Sequence, residues 1–182
     1  MLEMWDARYG TVVVETTDAG RGIVVSGDDV PTASITRTGT PEIRSDVPIG
    51  TRDGQHLQLL LDGEEYAVRP GRGRFSRRSY RVRVSGHGQE WLFAPATPSS
   101  HRLVKGSGYR GDNEVGMFTA DEASITAEWS TEIRIAGMVA GAPDSTSPDC
   151  ALGFVLAAAF GTGARLMMVA IASAAADAFL PG

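Results

Sequence analysis

Residues 151–180 read ALGFVLAAAFGTGARLMMVAIASAAADAFL, and this is the one long stretch whose composition calls for a helix. It is apolar on nearly every side. A helix of that kind needs apolar surroundings all round, either a protein core or a bilayer. Its start is well marked: Ser147 can serve as N-cap, Pro148 falls at the first helical position, and Asp149 places an acid in the first turn. Pro181-Gly182 closes the segment, so a buried C-terminal helix is expected over 147–180. Gly161 and Gly163 lie inside it, each costing about 1 kcal/mol against alanine. The helix should therefore kink there, or another backbone should approach it closely.

The choice between core and bilayer turns on charge. The segment is long enough to span, but Arg165 near its middle costs roughly 2.5–3.5 kcal/mol on insertion. Asp177 adds to that, and no Lys/Arg cluster flanks either end. At 100° per residue, Thr162, Arg165, Ser173 and Asp177 share one arc of about 120°. A narrow polar stripe beside a wide apolar face fits a helix packed inside protein, with one side reaching a mouth. The two alternatives are a membrane tail anchor and a helix laid over an open sheet.

What precedes the helix is a series of short strand-like runs. Residues 11–17 (TVVVETT) and 22–26 (GIVVS) are rich in β-branched residues and end at turn clusters. Residues 32–38 alternate weakly, and 39–54 carry prolines and glycines that make them a connection. Residues 55–61 and 64–69 flank Asp62-Gly63, a strong type I′ hairpin signal. Residues 80–85 (YRVRVS) alternate strictly, with Tyr80, Val82 and Val84 on one face and Arg81 and Arg83 on the other. Further runs follow at 89–94, 101–105, 114–119, 123–130 and 132–139. The sum is about twelve antiparallel strands at the spacing of an all-β sandwich or barrel. With 182 residues and no linker, the chain reads as a single domain, 1–182: a mainly β barrel or closed sandwich around one C-terminal apolar helix.

This outline resembles the tubby-like superfamily, which includes the tubby C-terminal domain, the phospholipid scramblases and the LURP-one-related proteins. The resemblance rests on residues 80–94 (YRVRVSGHGQEWLFA), on the Glu114-Val115-Gly116-Met117-Phe118 run, and on the helix from Asp149 onward. It implies a closed barrel around a central hydrophobic helix. It also implies a non-enzymatic scaffold that binds phosphoinositides or membranes, or serves signalling and defence. Gly161, Gly163 and Arg165 depart from the unbroken apolar helix of such proteins.

The most distinctive polar feature is a charged patch. Residues 69–83 hold seven arginines and no acid, in a chain whose net charge is -5. They are Arg69, Arg72, Arg74, Arg77, Arg78, Arg81 and Arg83. Guanidinium forks recognise phosphate and carboxylate bidentately, so these residues form a candidate anionic-ligand site. The expected partner is an anionic lipid or an acidic protein. The competing reading is a solvated face whose arginines pair with the surplus acids. Single-stranded RNA is disfavoured: the overall charge is acidic, and only Phe75 and Tyr80 are interleaved for stacking.

Catalytic signals are sparse. His56, His87 and His101 are isolated, with no metal-ligand spacing, and there is no nucleophile elbow or P-loop. Cys150 stands alone at an apolar helix start, where it reads as a small packed hydrophobe. No catalytic residue, metal or cofactor is expected. The N-terminus has acids and no apolar leader, so a cytoplasmic protein, peripheral at a membrane, is the expectation. Two alternatives stand: a small hydrolase with carboxylates converging from separate strands, and an oligomerising structural protein.

Overall fold

Eleven consecutive strands form one antiparallel meander, each hydrogen-bonded to the next in chain order. They are β1 (Leu2–Asp6), β2 (Gly10–Thr17), β3 (Gly22–Gly27), β4 (Ala33–Arg37), β5 (Leu57–Leu61), β6 (Glu64–Pro70), β7 (Val82–Gly86), β8 (Gln89–Pro95), β9 (Ser100–Lys105), β10 (Glu114–Ala120) and β11 (Ile125–Trp129). A short hairpin, β12 (Ile133–Ile135) with β13 (Met138–Ala140), precedes the helix α1 (Ser147–Phe160). The computed structural model describes residues 1–73, 77–97, 99–120, 124–131, 133–135, 138–140 and 143–161. The side chains of Arg77, 133–135 and 138–140 are outside that description.

The meander curls into a nearly closed barrel. Its two end strands meet through side chains: Ile125 N donates to Met4 Sδ at 3.2 Å, and Trp129 Nε1 donates to both oxygens of Asp6 at 3.1 and 3.0 Å. Asp6 is 4 % exposed, and it also accepts from the backbone N–H groups of Arg8 and Tyr9. One buried carboxylate therefore fixes both the β1–β2 turn and the seam.

Alternation decides which residues enter the interior. Val12 and Val14, Ile23 and Val25, Ile35, Leu59 and Leu61, Val82 and Val84, Trp91 and Phe93 all point inward and are buried. They surround α1, whose residues are buried without a break from Asp149 to Phe160. The helix runs through the barrel, as its apolar circumference requires, and does not lie over an open sheet. Among the described residues no helix is long and apolar enough to cross a membrane.

Hairpins form where the sequence tolerates positive φ. Asp62 (φ 53°) and Gly63 (φ 80°) make the expected turn. The same conformation recurs at His87 (φ 51°) and Gly88 (φ 75°), so β7 and β8 join through a tight two-residue turn.

Four expectations change. The N-cap is Thr146, not Ser147: its backbone N–H and hydroxyl both donate to Asp149 Oδ2, at 2.9 and 2.8 Å. The run at 132–139 is a hairpin of two strands and not one. Tyr80 belongs to a 3-10 turn (Arg77–Tyr80), and β7 begins at Val82. The helix is not continuous over 147–180: it ends at Phe160, because Gly161 leaves helical conformation (φ -57°, ψ 152°). Thr162, Gly163, Arg165, Ser173 and Asp177, with the rest of the expected helix, lie outside the described residues.

Gly153 shows how closely helix and barrel fit. A Cβ there would overlap the ring of Phe118, which is caged edge-to-face by Phe93, Trp129 and Phe154. Gly153→Ala gains about 1 kcal/mol of helix propensity but overpacks a rigid aromatic cluster, at about 1–3 kcal/mol. The expected result is net destabilisation, read as a lower urea midpoint at unchanged slope. An alanine variant more stable than the parent would show that Phe118 has room to move.

Candidate functional site

The arginines divide according to the strand pattern. Arg69 on β6 and Arg83 on β7 both point outward, are exposed, and stand directly opposite each other in the ladder. Like charges placed opposite each other across a sheet repel. Neither arginine has an ion-pair partner among the described residues, whose ion pairs join Arg44 to Asp46, His87 to Glu64, Arg102 to Glu114 and Lys105 to Asp149.

The connection between β6 and β7 extends this face. Gly71 N donates to Arg81 O at 2.7 Å and Gly73 N to Ser79 O at 2.8 Å, so its two arms run side by side. A Cβ at Gly71 would strike the Ser79 carbonyl, which is why glycine is needed at this crossing. Arg72 and Arg78 sit exposed on opposite arms, while Arg81 is half-buried beside the strand. Arg74 and Phe75 lie outside the described residues, and Arg77 is described by its backbone alone. The structure thus brings Arg69 with Arg83, and Arg72 with Arg78, into one region.

One arginine escaped the sequence reading. Arg52, in the connection before β5, is 7 % exposed. Its Nε donates to Gly71 O and its Nη2 to Tyr80 O, both at 2.7 Å. The guanidinium lies 5.5 Å from the Tyr80 ring centre and 5.1 Å from that of Phe160, the last residue of α1. Burial, with the Arg44 charge nearby, pulls its pKa down to about 10. Arg44 is engaged elsewhere: it pairs bidentately with Asp46 and donates to the carbonyls of Arg72 and Gly73. No periodicity or spacing in Thr51-Arg52-Asp53 marks this residue; only the fold buries it.

The other end of the helix holds the converse charge. Asp149 is 1 % exposed, and Oδ1 accepts from Trp91 Nε1 at 2.8 Å while Oδ2 pairs with Lys105 Nζ at 3.1 Å. With Thr146 also donating, both oxygens are occupied. The cleft over this group, about 570 Å³, is lined in addition by Asp62, Glu64, Glu90 and Tyr66. Its one buried carboxylate is a helix cap and not a free acid or base.

Among the described residues no group of three or more His, Cys, Asp or Glu side chains could hold a metal ion. His56 and His87 rest against backbone carbonyls of Thr38 and Glu65 near the surface. Cys150 is fully buried, and burial together with the charges of Asp6 and Asp149 raises its pKa, away from thiolate chemistry.

His101 is the buried histidine. It is 3 % exposed and stacks on Phe93 with ring centres 4.7 Å apart. Burial first, and the Arg52 charge second, lower its pKa from 6.5 to about 4. The folded chain therefore binds this proton less readily than the unfolded chain. The stability His101 contributes is complete above pH 6.5 and is lost as pH falls toward 4. That loss amounts to about 3 kcal/mol. His101→Gln should flatten this limb in urea titrations between the two pH values, and parallel limbs in parent and variant would exclude the assignment.

Against known proteins, no family model, no curated protein and no solved structure matches this chain.

Proposed function

We propose that the chain is a non-enzymatic binding module of tubby-like type that docks onto an anionic membrane surface through Arg69, Arg83 and the arginines of the adjoining loop. The observation that carries this reading is the Arg69–Arg83 pair, two exposed guanidiniums directly opposite each other with no acid paired to either among the described residues. The chain has 22 acidic residues, so acids to neutralise the pair are abundant. Arginine pairs with acid at Arg44 and Arg102 but not here. A repulsive pair on a sheet gains nothing for the fold, whereas it suits a surface that brings its own negative charge. A barrel built around a buried helix also accords with the tubby-like resemblance.

The test is flotation with vesicles of phosphatidylcholine alone or mixed with phosphatidylserine, at low and high salt. Binding should require the anionic lipid and fade as salt shortens the screening length from about 10 Å at 0.1 M to about 3 Å at 1 M. Arg69→Gln with Arg83→Gln removes two contacts worth about 1 kcal/mol each near such a surface, a loss of roughly 30-fold in affinity. Melting should stay level or rise slightly, since a like-charge repulsion disappears. Undiminished flotation of the double variant would sink the membrane reading, and salt-sensitive capture by a polyanionic peptide without flotation would replace it with an acidic protein partner.

A further inference from the structure

Where α1 ends, the barrel opens into a cleft of about 780 Å³ lined by Arg52, Arg72, Thr40, Thr51 and His56. Arg52 is its deepest charge. A guanidinium withdrawn from water normally has a carboxylate beside it, because a buried charge without a counter-ion is costly. Among the described residues Arg52 has no ion pair: Asp46 acts on it only through space and is already paired with Arg44, and the Arg52 Nη1, which is not sealed from solvent, has no hydrogen-bond partner there. The carbonyl end of α1 offers about half an elementary charge of compensation, and the Tyr80 and Phe160 ring faces add a little more. Among the described residues no carboxylate is paired with Arg52.

The rest of the wall indicates what would supply a counter-charge. Arg72 is exposed and carries no ion pair among the described residues. Thr51 is 3 % exposed; its hydroxyl oxygen accepts from Asp53 N at 3.1 Å, which leaves the hydroxyl proton to donate. Two acids are present, but Asp53 caps the turn at Gln55 N and Glu42 lies exposed at the rim. Arg44 holds the roof in place through the Arg72 and Gly73 carbonyls.

We infer that this cleft seats a phosphoryl group, with Arg52 Nη1 and the Arg72 guanidinium as its charged donors. A phosphate monoester presents three terminal oxygens, enough to accept from both guanidiniums and a hydroxyl together. A carboxylate has only two. The cleft exceeds the volume of phosphate itself and so has room for an organic carrier beside the phosphoryl group. The inference does not depend on membrane docking: Arg72 belongs to both surfaces, but docking is carried by the Arg69–Arg83 pair on the outer face, which does not line this cleft.

Calorimetric titration of the full chain with inorganic phosphate, glycerol 3-phosphate and acetate tests it, alongside flotation with phosphatidic acid vesicles. Both phosphates should bind saturably, and acetate at least about tenfold more weakly. Arg72→Gln, at an exposed position, should weaken phosphate binding at least about tenfold, as should Arg52→Lys, which keeps the charge and loses the fork. Should Arg52→Lys fail to fold, Arg72→Gln decides alone. Absence of saturable binding, equal affinity for acetate, or an Arg72→Gln variant that binds like the parent would each overturn the seat. Glycerol 3-phosphate that displaces the protein from phosphatidic acid vesicles would place the phosphoryl group on a lipid. Saturable binding without such displacement would place it on a soluble molecule; both results uphold the seat. The Arg69→Gln/Arg83→Gln variant should keep its phosphate affinity whatever its vesicle binding, and loss there would reassign phosphate to the outer face.

Discussion

A helix with no polar side has to be enclosed, and the architecture follows from that requirement. Every residue of α1 from Asp149 to Phe160 is buried, so apolar surface must face it from all directions. A single flat sheet covers only one side of a helix, whereas a curled meander of eleven strands surrounds it. Alternation along each strand then supplies the lining, with one residue in two turned inward. The helix in turn fills what would otherwise be a void. Small residues set the fit: Gly153 lets the Phe118 ring rest against the helix backbone, and Ala157, Ala158 and Ala159 keep its last turns narrow.

Enclosure creates a problem at each end of the helix, where backbone groups lose their partners. The structure meets it with charge of the appropriate sign. At the N-terminus Asp149 caps Thr146 and is held by Trp91 and Lys105, a strand residue and the chain's sole lysine. At the C-terminus the Ala159 carbonyl accepts from Ile49 N, and Arg52 lies over Phe160. An acid at the amino end and a base at the carbonyl end both agree with the helix dipole. They differ in their partners. Asp149 has a cationic partner, while Arg52 has no anionic one among the described residues.

The two groups of basic residues also differ in origin. Arg69 and Arg83 are outward residues of alternating strands, and any sequence with that alternation would expose them. Arg52 is buried because the β6–β7 connection folds back over it, with Gly71 and Gly73 permitting the close approach. The same connection displays Arg72 above the cleft and Arg78 on its other arm. One loop therefore joins the outer arginine face to the opening at the helix end.

Local chemistry by itself determined the strand-rich body, the tight Asp62-Gly63 hairpin, the start of the helix to within one residue, and the need to bury it, because alternation, positive-φ tolerance and capping act over a few neighbouring residues. It also determined that Arg83 faces away from Val82 and Val84, whereas its place opposite Arg69 came from the β6–β7 register. Tertiary structure decided the rest. The seam held by Asp6 joins residues more than a hundred positions apart, and the splitting of 132–139 into a hairpin depends on pairing that composition does not encode. Above all, Arg52 acquired its surroundings from burial, and burial is a property of the whole enclosure and not of any stretch of sequence.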